Sequence, residues 1–407
     1  MAAFSKESRT DNILNMRYLF IAISWTLSFI LQKKKIVYFC SFYGQYNDNP
    51  KYISLKLHEL YPEYNIIWAH SILCHELLPD YVKKAEFRSF MHYFYVYNAK
   101  VVVDNYLGLR SFTGKPKGVM SYVYKLLSKK NNRQLNISTW HGTPLKKIGA
   151  DSLDFKTNDI FYSNIDYSIS GCCFTKTSIA QAFRDVFNIK EYGTPRNDIL
   201  ISGYDTNEVK KKLKLPRKKK VALYAPTFRN DTGQENLSQL NQIGVDSLLS
   251  TLSNRFGGEW VVACRFHNHI VRNLQSNNVF NDKVINGNIG DDMTEYLLCA
   301  DVLITDFSSS FFDFALTKKP CFLFATDLKN YSENERGLYF SYLDLPFPTS
   351  QTPKELYYQI INFDENIYES NVCSFLKLLG NYEDGYASTK IVNDIMEFMT
   401  RGIKPVI

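Results

Sequence analysis

Residues 301–320 read DVLITDFSSSFFDFALTKKP, and the fold can be predicted outward from this stretch. It opens with a short apolar run that is typical of a buried parallel strand, and Asp306 ends the run. Three serines, Ser308, Ser309 and Ser310, precede an apolar helical face that closes at two lysines and a proline. A second apolar run, CFLF, follows at once. The stretch therefore predicts a strand, a serine turn, a helix and a second parallel strand.

The serine turn is a candidate anion site. Hydroxyls and unpaired backbone N–H groups at a helix start favour an anion, and the helix dipole adds to that preference. In an open α/β sheet this position, beyond the carboxyl end of a strand, is where nucleotide phosphates bind. A serine N-cap without any ligand is the alternative interpretation, and this stretch alone leaves both open.

Similar apolar runs, separated by helical patterns, precede this stretch and predict βαβ units with parallel sheets. They are KIVYFC (35–40), NIIWA (65–69), KVVVD (100–104), NISTWHG (136–142), DYSIS (166–170), VALYA (221–225), WVVACR (260–265) and KVIN (283–286). The charged run KKKLKLPRKKK, residues 210–220, interrupts the pattern as a solvated linker would. We expect an α/β protein with two doubly wound, Rossmann-like domains facing a cleft, at 35–205 and 206–385. A C-terminal helix is expected within 386–407.

Composition supports two domains with large cores. The chain has 407 residues, 45% of them apolar and 15% aromatic, which excludes a disordered protein. The net charge of +7 suits an anionic partner, whether a phospholipid surface, a polyphosphate or a nucleotide. Eight cysteines are spread through apolar runs without any CxxC spacing, so we expect free thiols in a reducing cytoplasm and no metal site.

The N-terminal segment, residues 1–34, contains an apolar run. Tyr18 to Leu31 carries no charge, and basic residues flank it on both sides. Because spanning a bilayer takes about 20 residues, this run is too short to cross one comfortably. No small-residue cleavage site follows it, so a signal peptide fits poorly. A helix lying in the interface of an anionic membrane fits better, and a helix buried against the first domain is the alternative.

A histidine and a glycine follow the predicted fourth strand in STWHGTPLKK, residues 138–147. Gly142 permits a sharp turn beside the cleft, and Thr143 follows it. His141 has a side chain whose pKa suits proton removal at neutral pH. A structural histidine at a strand end is the alternative.

Further basic side chains follow strands of the second domain. Arg229 ends the segment YAPTFR, and Arg265 and His267 form RFH. An arginine suits bidentate contact with a phosphate, and Arg265 and His267 together suit a clamp on a phosphate whose charge grows in a transition state. A solvent-facing or ion-paired Arg229 is the alternative, and a metal at His267 lacks an acidic third ligand. Arg196, in GTPRND between the domains, is also expected in the cleft with Asp306.

Together, the motifs WHGTPLK, PRND, YAPTFR, RFH and DVLITDFSSSFFDFALTKKP resemble those of the CDP-glycerol glycerophosphotransferase family. This family comprises teichoic-acid and capsule primases and polymerases. The resemblance runs from about Lys35 to Tyr342 in the right order, and it implies the two-domain GT-B fold. Asn268 stands where the family usually has proline, and Phe307 stands where it usually has tyrosine.

The resemblance also implies roles for individual residues. His141 matches the base that acts on the acceptor hydroxyl, and His267 matches the histidine that contacts the donor pyrophosphate. Ser308 and Ser309 match the serines that hold the donor phosphates. With them we group Arg229, Arg265 and Ser310 as donor-phosphate ligands. No metal or cofactor is expected besides the donor substrate, CDP-glycerol or CDP-ribitol.

The function expected from the resemblance is transfer of glycerol phosphate, or another polyol phosphate such as ribitol phosphate, from the CDP donor with release of CMP. The first domain would bind the acceptor, a lipid-linked saccharide or a growing polymer, and the second would bind the donor. We expect peripheral attachment to the cytoplasmic face of a bacterial membrane and no nucleic-acid partner. A nucleotide-sugar glycosyltransferase or epimerase, or a non-catalytic protein that binds anionic polymer, is the alternative. The sequence does not distinguish a CDP-glycerol donor from a CDP-ribitol donor, or priming of a polymer from its polymerisation.

Overall fold

The structure is a computed structural model. It describes residues 16–405 except 17, 32, 73, 75, 107–108, 110–111, 115–122, 124–125, 128–131, 153–159, 163, 184–187, 228–239, 267–279 and 329–336.

The first domain is built on a seven-stranded parallel sheet in the order β3-β2-β1-β4-β6-β8-β9. The strands are β1 (Lys33–Cys40), β2 (Asn65–His70), β3 (Val82–Glu86), β4 (Ala99–Asp104), β6 (Leu135–Ser138), β8 (Tyr167–Ile169) and β9 (Ile189–Lys190). A separate antiparallel pair joins β5 (Phe112–Gly114) to β7 (Ile160–Tyr162). Central strands such as β4 are almost wholly buried, which is why their sequences are continuously apolar.

The second domain repeats this design with a six-stranded parallel sheet in the order β12-β11-β10-β13-β14-β15. Its strands are β10 (Lys220–Ala225), β11 (Trp260–Cys264), β12 (Val284–Asn286), β13 (Val302–Thr305), β14 (Cys321–Phe324) and β15 (Thr349–Ser350). In both sheets the strand order reverses at the first strand, which is the doubly wound arrangement that places ligands beyond the carboxyl ends. The predicted pair of parallel α/β sheets is confirmed.

Helices cover both sheets. They are α1 (18–27), α2 (Asp48–Leu60), α3 (Phe90–Asn98), α4 (Cys173–Ala182), α5 (Asp198–Ile201), α6 (Thr206–Lys212), α7 (Val245–Phe256), α8 (Met293–Cys299), α9 (Ser310–Ala315), α10 (Pro353–Ile361), α11 (Glu365–Leu379) and α12 (Ala387–Arg401). The C-terminal helix α12 crosses back to the first domain, where Ile391 and Phe398 pack with Val37 and Ile53. The domain boundaries at 205 and 385 stay a prediction.

Helix α1 packs one face on the first domain. Ile21 is buried in the cluster formed with Tyr38, Tyr93 and Val102, and Phe20 lies against Phe90 with ring centroids 5.7 Å apart. Other apolar side chains of the same segment are exposed, among them Leu19, Ile23, Phe29 and Ile30. None of the described helices is long and apolar enough to cross a bilayer.

All eight cysteines are free, as the sequence predicts. Most of them are buried, but Cys173 and Cys373 are exposed.

The two domains are joined by a buried ion cluster. Lys51 of α2 lies 2.9 Å from Glu76 in the first domain and 2.8 Å from Glu295 in the second. Asp292 accepts a hydrogen bond of 2.8 Å from the Tyr52 hydroxyl. Because buried ions without partners are strongly destabilising, these contacts fix how the two sheets face one another.

Candidate active site

The cleft between the two sheets contains a cavity of about 440 Å³. Its walls come from both domains, at the carboxyl ends of the strands. The residues from the sequence analysis that line it are His141, Arg196, Arg265, Ser308, Ser309 and Ser310. The structure therefore brings these side chains together, as expected for a two-domain protein that binds its ligands across the cleft.

His141 lies beyond β6, which ends at Ser138 and is shorter than the sequence predicts. The chain leaves the extended conformation because Trp140 has φ +53° and Gly142 has φ +110°. The His141 Nδ1 atom lies 3.0 Å from the carbonyl oxygen of Asn105. A carbonyl only accepts, so Nδ1–H donates and Nε2 carries the lone pair of the neutral ring. Burial lowers the pKa of His141, which favours this neutral form.

Arg196 is the centre of a buried network that holds His141. Its Nη1 atom donates to Asp48 Oδ1 at 2.8 Å and to the His141 carbonyl oxygen at 2.9 Å. Its Nη2 atom donates to Asp313 Oδ2 at 2.7 Å. The second carboxylate oxygen of Asp48 accepts from Asn105 Nδ2 at 2.9 Å. The four residues Asp48, Asn105, Arg196 and Asp313, called the Arg196 network below, thus support both the backbone and the ring of His141.

Gly142 has a steric role in this arrangement. A Cβ atom at Gly142 would lie 2.2 Å from Arg196 Nη2, so a side chain there would displace the guanidinium. Its positive φ also favours glycine. The Thr143 hydroxyl accepts a hydrogen bond from the Thr175 hydroxyl at 3.1 Å, and this bond anchors helix α4.

The serine turn leads into α9, a helix of six residues. Ser308 Oγ lies 2.9 Å from Ser310 Oγ and accepts from the Ser310 backbone N–H at 3.3 Å. Ser308 therefore makes hydrogen bonds within the turn, whereas Ser309, which directly precedes α9, makes no side-chain capping bond. All three serines line the cavity, so these bonds within the turn are compatible with ligand contact. Phosphate binding by these serines stays a prediction.

Asp306 and Arg265, which the sequence predicts in the cleft, form hydrogen bonds with other parts of the second domain. Asp306 accepts from the backbone N–H of Thr227 at 2.7 Å, which fixes the start of the loop after β10. The Arg265 guanidinium donates to the carbonyl oxygens of Gly287 at 2.8 Å and Asp291 at 3.0 Å. Arg265 therefore supports the backbone wall at 287–291, and its contact with a phosphate stays a prediction. Arg229 and His267 lie outside the described residues.

Sequence reasoning missed the carboxylates of this site. Asp48 and Asp313 were not singled out, although Asp313 lies only a few residues beyond the serine turn. Glu383 was missed too: it accepts from the Thr194 backbone N–H at 2.8 Å and from Asn197 Nδ2 at 3.1 Å. Burial raises the pKa of Glu383 to about 7. The GTPRND segment gave no signal for these partners, since an arginine next to asparagine and aspartate has the same sequence pattern at the surface as in a buried network.

Two parallel sheets of this topology with a polar cleft between them define a GT-B-like two-domain protein. The chain belongs to the family of CDP-glycerol:poly(glycerophosphate) glycerophosphotransferases, whose model matches residues 19–397. The resemblance drawn from the motifs is confirmed.

Relatives and solved structures agree with this assignment. The chain is 30% identical to a teichoic acid glycerol-phosphate transferase of Staphylococcus aureus over 90% of this chain and 94% of that protein. It is 31% identical to a teichoic acid poly(glycerol phosphate) polymerase of Staphylococcus epidermidis, over 88% of this chain and 50% of the polymerase. The chain thus spans about half the length of the curated polymerases it matches. A variant of the wall teichoic acid polymerase TagF soaked with CDPG superposes with a TM-score of 0.77 at 28% identity, covering 98% of each chain.

Proposed function

We propose that the protein transfers a polyol phosphate, glycerol phosphate or ribitol phosphate, from a CDP-activated donor to a hydroxyl group and releases CMP. The observation that carries the proposal is the position of His141 in the cleft, with its Nδ1–H bound to the Asn105 carbonyl. The relatives support it, because they include glycerol-phosphate and ribitol-phosphate primases and polymerases of teichoic acid.

In the proposed mechanism, His141 Nε2 takes the proton of the acceptor hydroxyl as the oxygen attacks the β-phosphorus of the donor. The bond between the β-phosphorus and the bridging oxygen breaks, and its electron pair leaves with CMP. Hydrogen-bond donors on the second-domain side then stabilise the growing negative charge. The serine turn is suited to that role, and Arg229 and His267 share it on the evidence of the motifs. The first domain binds the acceptor, a lipid-linked saccharide or a polymer end.

The experiment that tests this function is an assay of CMP release from CDP-glycerol and from CDP-ribitol, with and without an acceptor. Acceptor-dependent CMP release from either donor supports the proposal. Absence of release from both would favour a non-catalytic protein that binds anionic polymer. Turnover of a nucleotide sugar instead would favour a glycosyltransferase on the same fold.

Replacing Ser308 and Ser309 together by alanine is expected to weaken donor binding. Each charge-assisted hydrogen bond to a phosphate contributes about 1.5–3 kcal/mol, so the dissociation constant of CDP-glycerol should rise at least about tenfold. Calorimetry measures this affinity. The matched control is Thr317→Ala, which removes a hydroxyl that bonds the Phe314 carbonyl at the other end of the same helix. Equal affinity in both variants and the parent would leave the serines a structural role within the turn alone.

We propose further that the N-terminal segment attaches the protein to an anionic membrane surface at the cytoplasmic face. The two interpretations of this segment are compatible, since Ile21 is buried while Leu19, Ile23 and Phe29 are exposed. Exposed apolar side chains beside a basic run are typical of interfacial helices. The basic residues that follow in the sequence favour anionic lipid.

Substituting Leu19, Ile23, Phe29 and Ile30 by glutamine is expected to reduce co-sedimentation with anionic vesicles by about tenfold or more, because their burial in the interface is removed. The fold should persist, since these side chains are exposed. The control replaces Ile361 and Leu378, exposed apolar residues of the second domain, by glutamine. If both variants sediment like the parent, the segment serves only the first domain's packing.

A further inference from the structure

Two partly exposed aromatic rings flank His141 on the first-domain side of the cleft. The ring centroid of Phe42 lies 5.7 Å from that of His141, and the ring of Tyr106 lies nearly parallel to it at 6.2 Å. Phe42 is 37% exposed and lines the cavity, and Tyr106 is 61% exposed. Large apolar rings that stay in contact with water beside a proposed base are available to a ligand.

The loops that carry these rings are fixed. Phe42 adopts φ +38°, which is unusual for a residue with a bulky side chain, and its N–H donates to Asn105 Oδ1 at 2.9 Å. The N–H of Tyr106 donates to Asp104 Oδ1 at 2.8 Å, and its carbonyl accepts from the Ser138 hydroxyl. Because the Asn105 carbonyl also holds His141, one residue sets the positions of Phe42 and the base. Strained backbone that the surroundings hold in place occurs typically at ligand sites.

The charges beside His141 disfavour an anionic occupant at these rings. The charged groups that act on His141 are Asp48 and Arg196, and Arg196 is itself bound to both Asp48 and Asp313. Among these described residues, the single positive charge of Arg196 is thus outnumbered by the negative charges of Asp48 and Asp313. A phosphate of a poly(polyol phosphate) chain at these rings would lie near the Asp48 carboxylate, which is bonded to Asn105, whereas the donor phosphates are proposed to lie across the cleft at the serine turn. A neutral sugar ring would place its positively polarised C–H groups on the negative faces of the aromatic rings and its hydroxyls near the base.

We infer that Phe42 and Tyr106 form an acceptor subsite for a neutral saccharide ring, which presents a hydroxyl to His141 Nε2. The inference rests on the proposed function and names the acceptor class of the same site. It selects a saccharide that carries the attacked hydroxyl over the end of a poly(polyol phosphate) chain. In this arrangement the rings bind the saccharide equally in the ground state and the transition state, and His141 carries out the proton transfer.

The test compares two soluble acceptors with CDP-glycerol, an alkyl disaccharide and an oligo(glycerol phosphate) without sugar. Phe42→Ala and Tyr106→Ala are each expected to raise KM for the disaccharide by about tenfold with kcat changed little. The reason is that stacking on the rings stabilises the ground state and the transition state equally, so its removal affects KM. Tyr106→Phe keeps the ring and should restore the parent KM. Tyr43→Ala is the control, because Tyr43 is an exposed neighbour outside the subsite.

Failure of the inference is distinct from failure of the proposed function. A parent protein that releases no CMP with either acceptor would refute the function itself. A parent that uses the disaccharide, with variants that leave its KM unchanged, would refute only the subsite. Variants that lower kcat without raising KM would assign the rings to support of His141 alone and would also overturn the inference. Preference of the parent for the oligo(glycerol phosphate) would overturn it as well.

Discussion

His141→Ala is expected to reduce CMP release in the presence of acceptor by about 10² to 10⁴, because the acceptor hydroxyl would lose its general base. Donor affinity should change little, since His141 serves the acceptor in the proposed mechanism. Single-turnover assays and calorimetry with CDP-glycerol measure the two quantities. The matched control is His58→Ala, which removes a histidine of the same domain that stacks on Tyr81 with ring centroids 3.5 Å apart.

The pH dependence gives a second test of the same base. Burial lowers the pKa of His141, so its neutral form persists to lower pH than that of an ordinary histidine. Activity of the parent should therefore fall on the acid side only below the usual histidine range, and that acid limb should disappear in the residual activity of His141→Ala. Turnover within threefold of the parent would remove His141 from the mechanism.

Arg196→Ala is expected to have the largest effect on stability. It leaves the buried carboxylates of Asp48 and Asp313 without their cation, and breaking a buried ion pair in this way costs about 3–5 kcal/mol. Since domains are typically stable by about 5–15 kcal/mol, much of the free energy of unfolding would be lost. Denaturant unfolding of the full chain measures the change.

An exposed ion pair serves as the control for this variant. Lys176 lies 2.7 Å from Glu191, but both side chains are more than 40% exposed, so Lys176→Ala should change stability by at most about 1 kcal/mol. Arg196→Lys keeps a charge without the planar fork, so it should recover part of the stability and less of the activity. An Arg196→Ala variant as stable as Lys176→Ala would contradict the proposed importance of the Arg196 network.

The central strands of both sheets and their order along the chain could be predicted from the sequence. The run DVLIT became β13 and KIVYFC became β1, because a strand buried on both faces must be continuously apolar. The helix after the serine turn followed from its capping residues and apolar spacing, which are local signals as well. Strand β3, VKKAE, was not predicted, because only two of its five side chains are buried at the edge of the sheet.

The position of His141 could also be predicted, since the end of a parallel strand identifies the edge of the sheet where ligands bind. The partners of the polar side chains could not be predicted. Arg265 and Asp306 were expected in the cleft, and Arg265 lines the cavity, yet Arg265 donates to backbone carbonyls and Asp306 accepts from Thr227. A charged side chain after a strand looks the same in sequence whether it faces a ligand or a loop.

The Arg196 network depends on the packing of the two domains. Arg196 contacts Asp48 across 148 residues and Asp313 across 117 residues. These contacts exist because α2, the GTPRND segment and α9 come from different parts of two domains and meet at one cleft. Strand and helix periods depend on neighbouring residues, whereas an ion pair depends on the distance between atoms that only the packed sheets bring together.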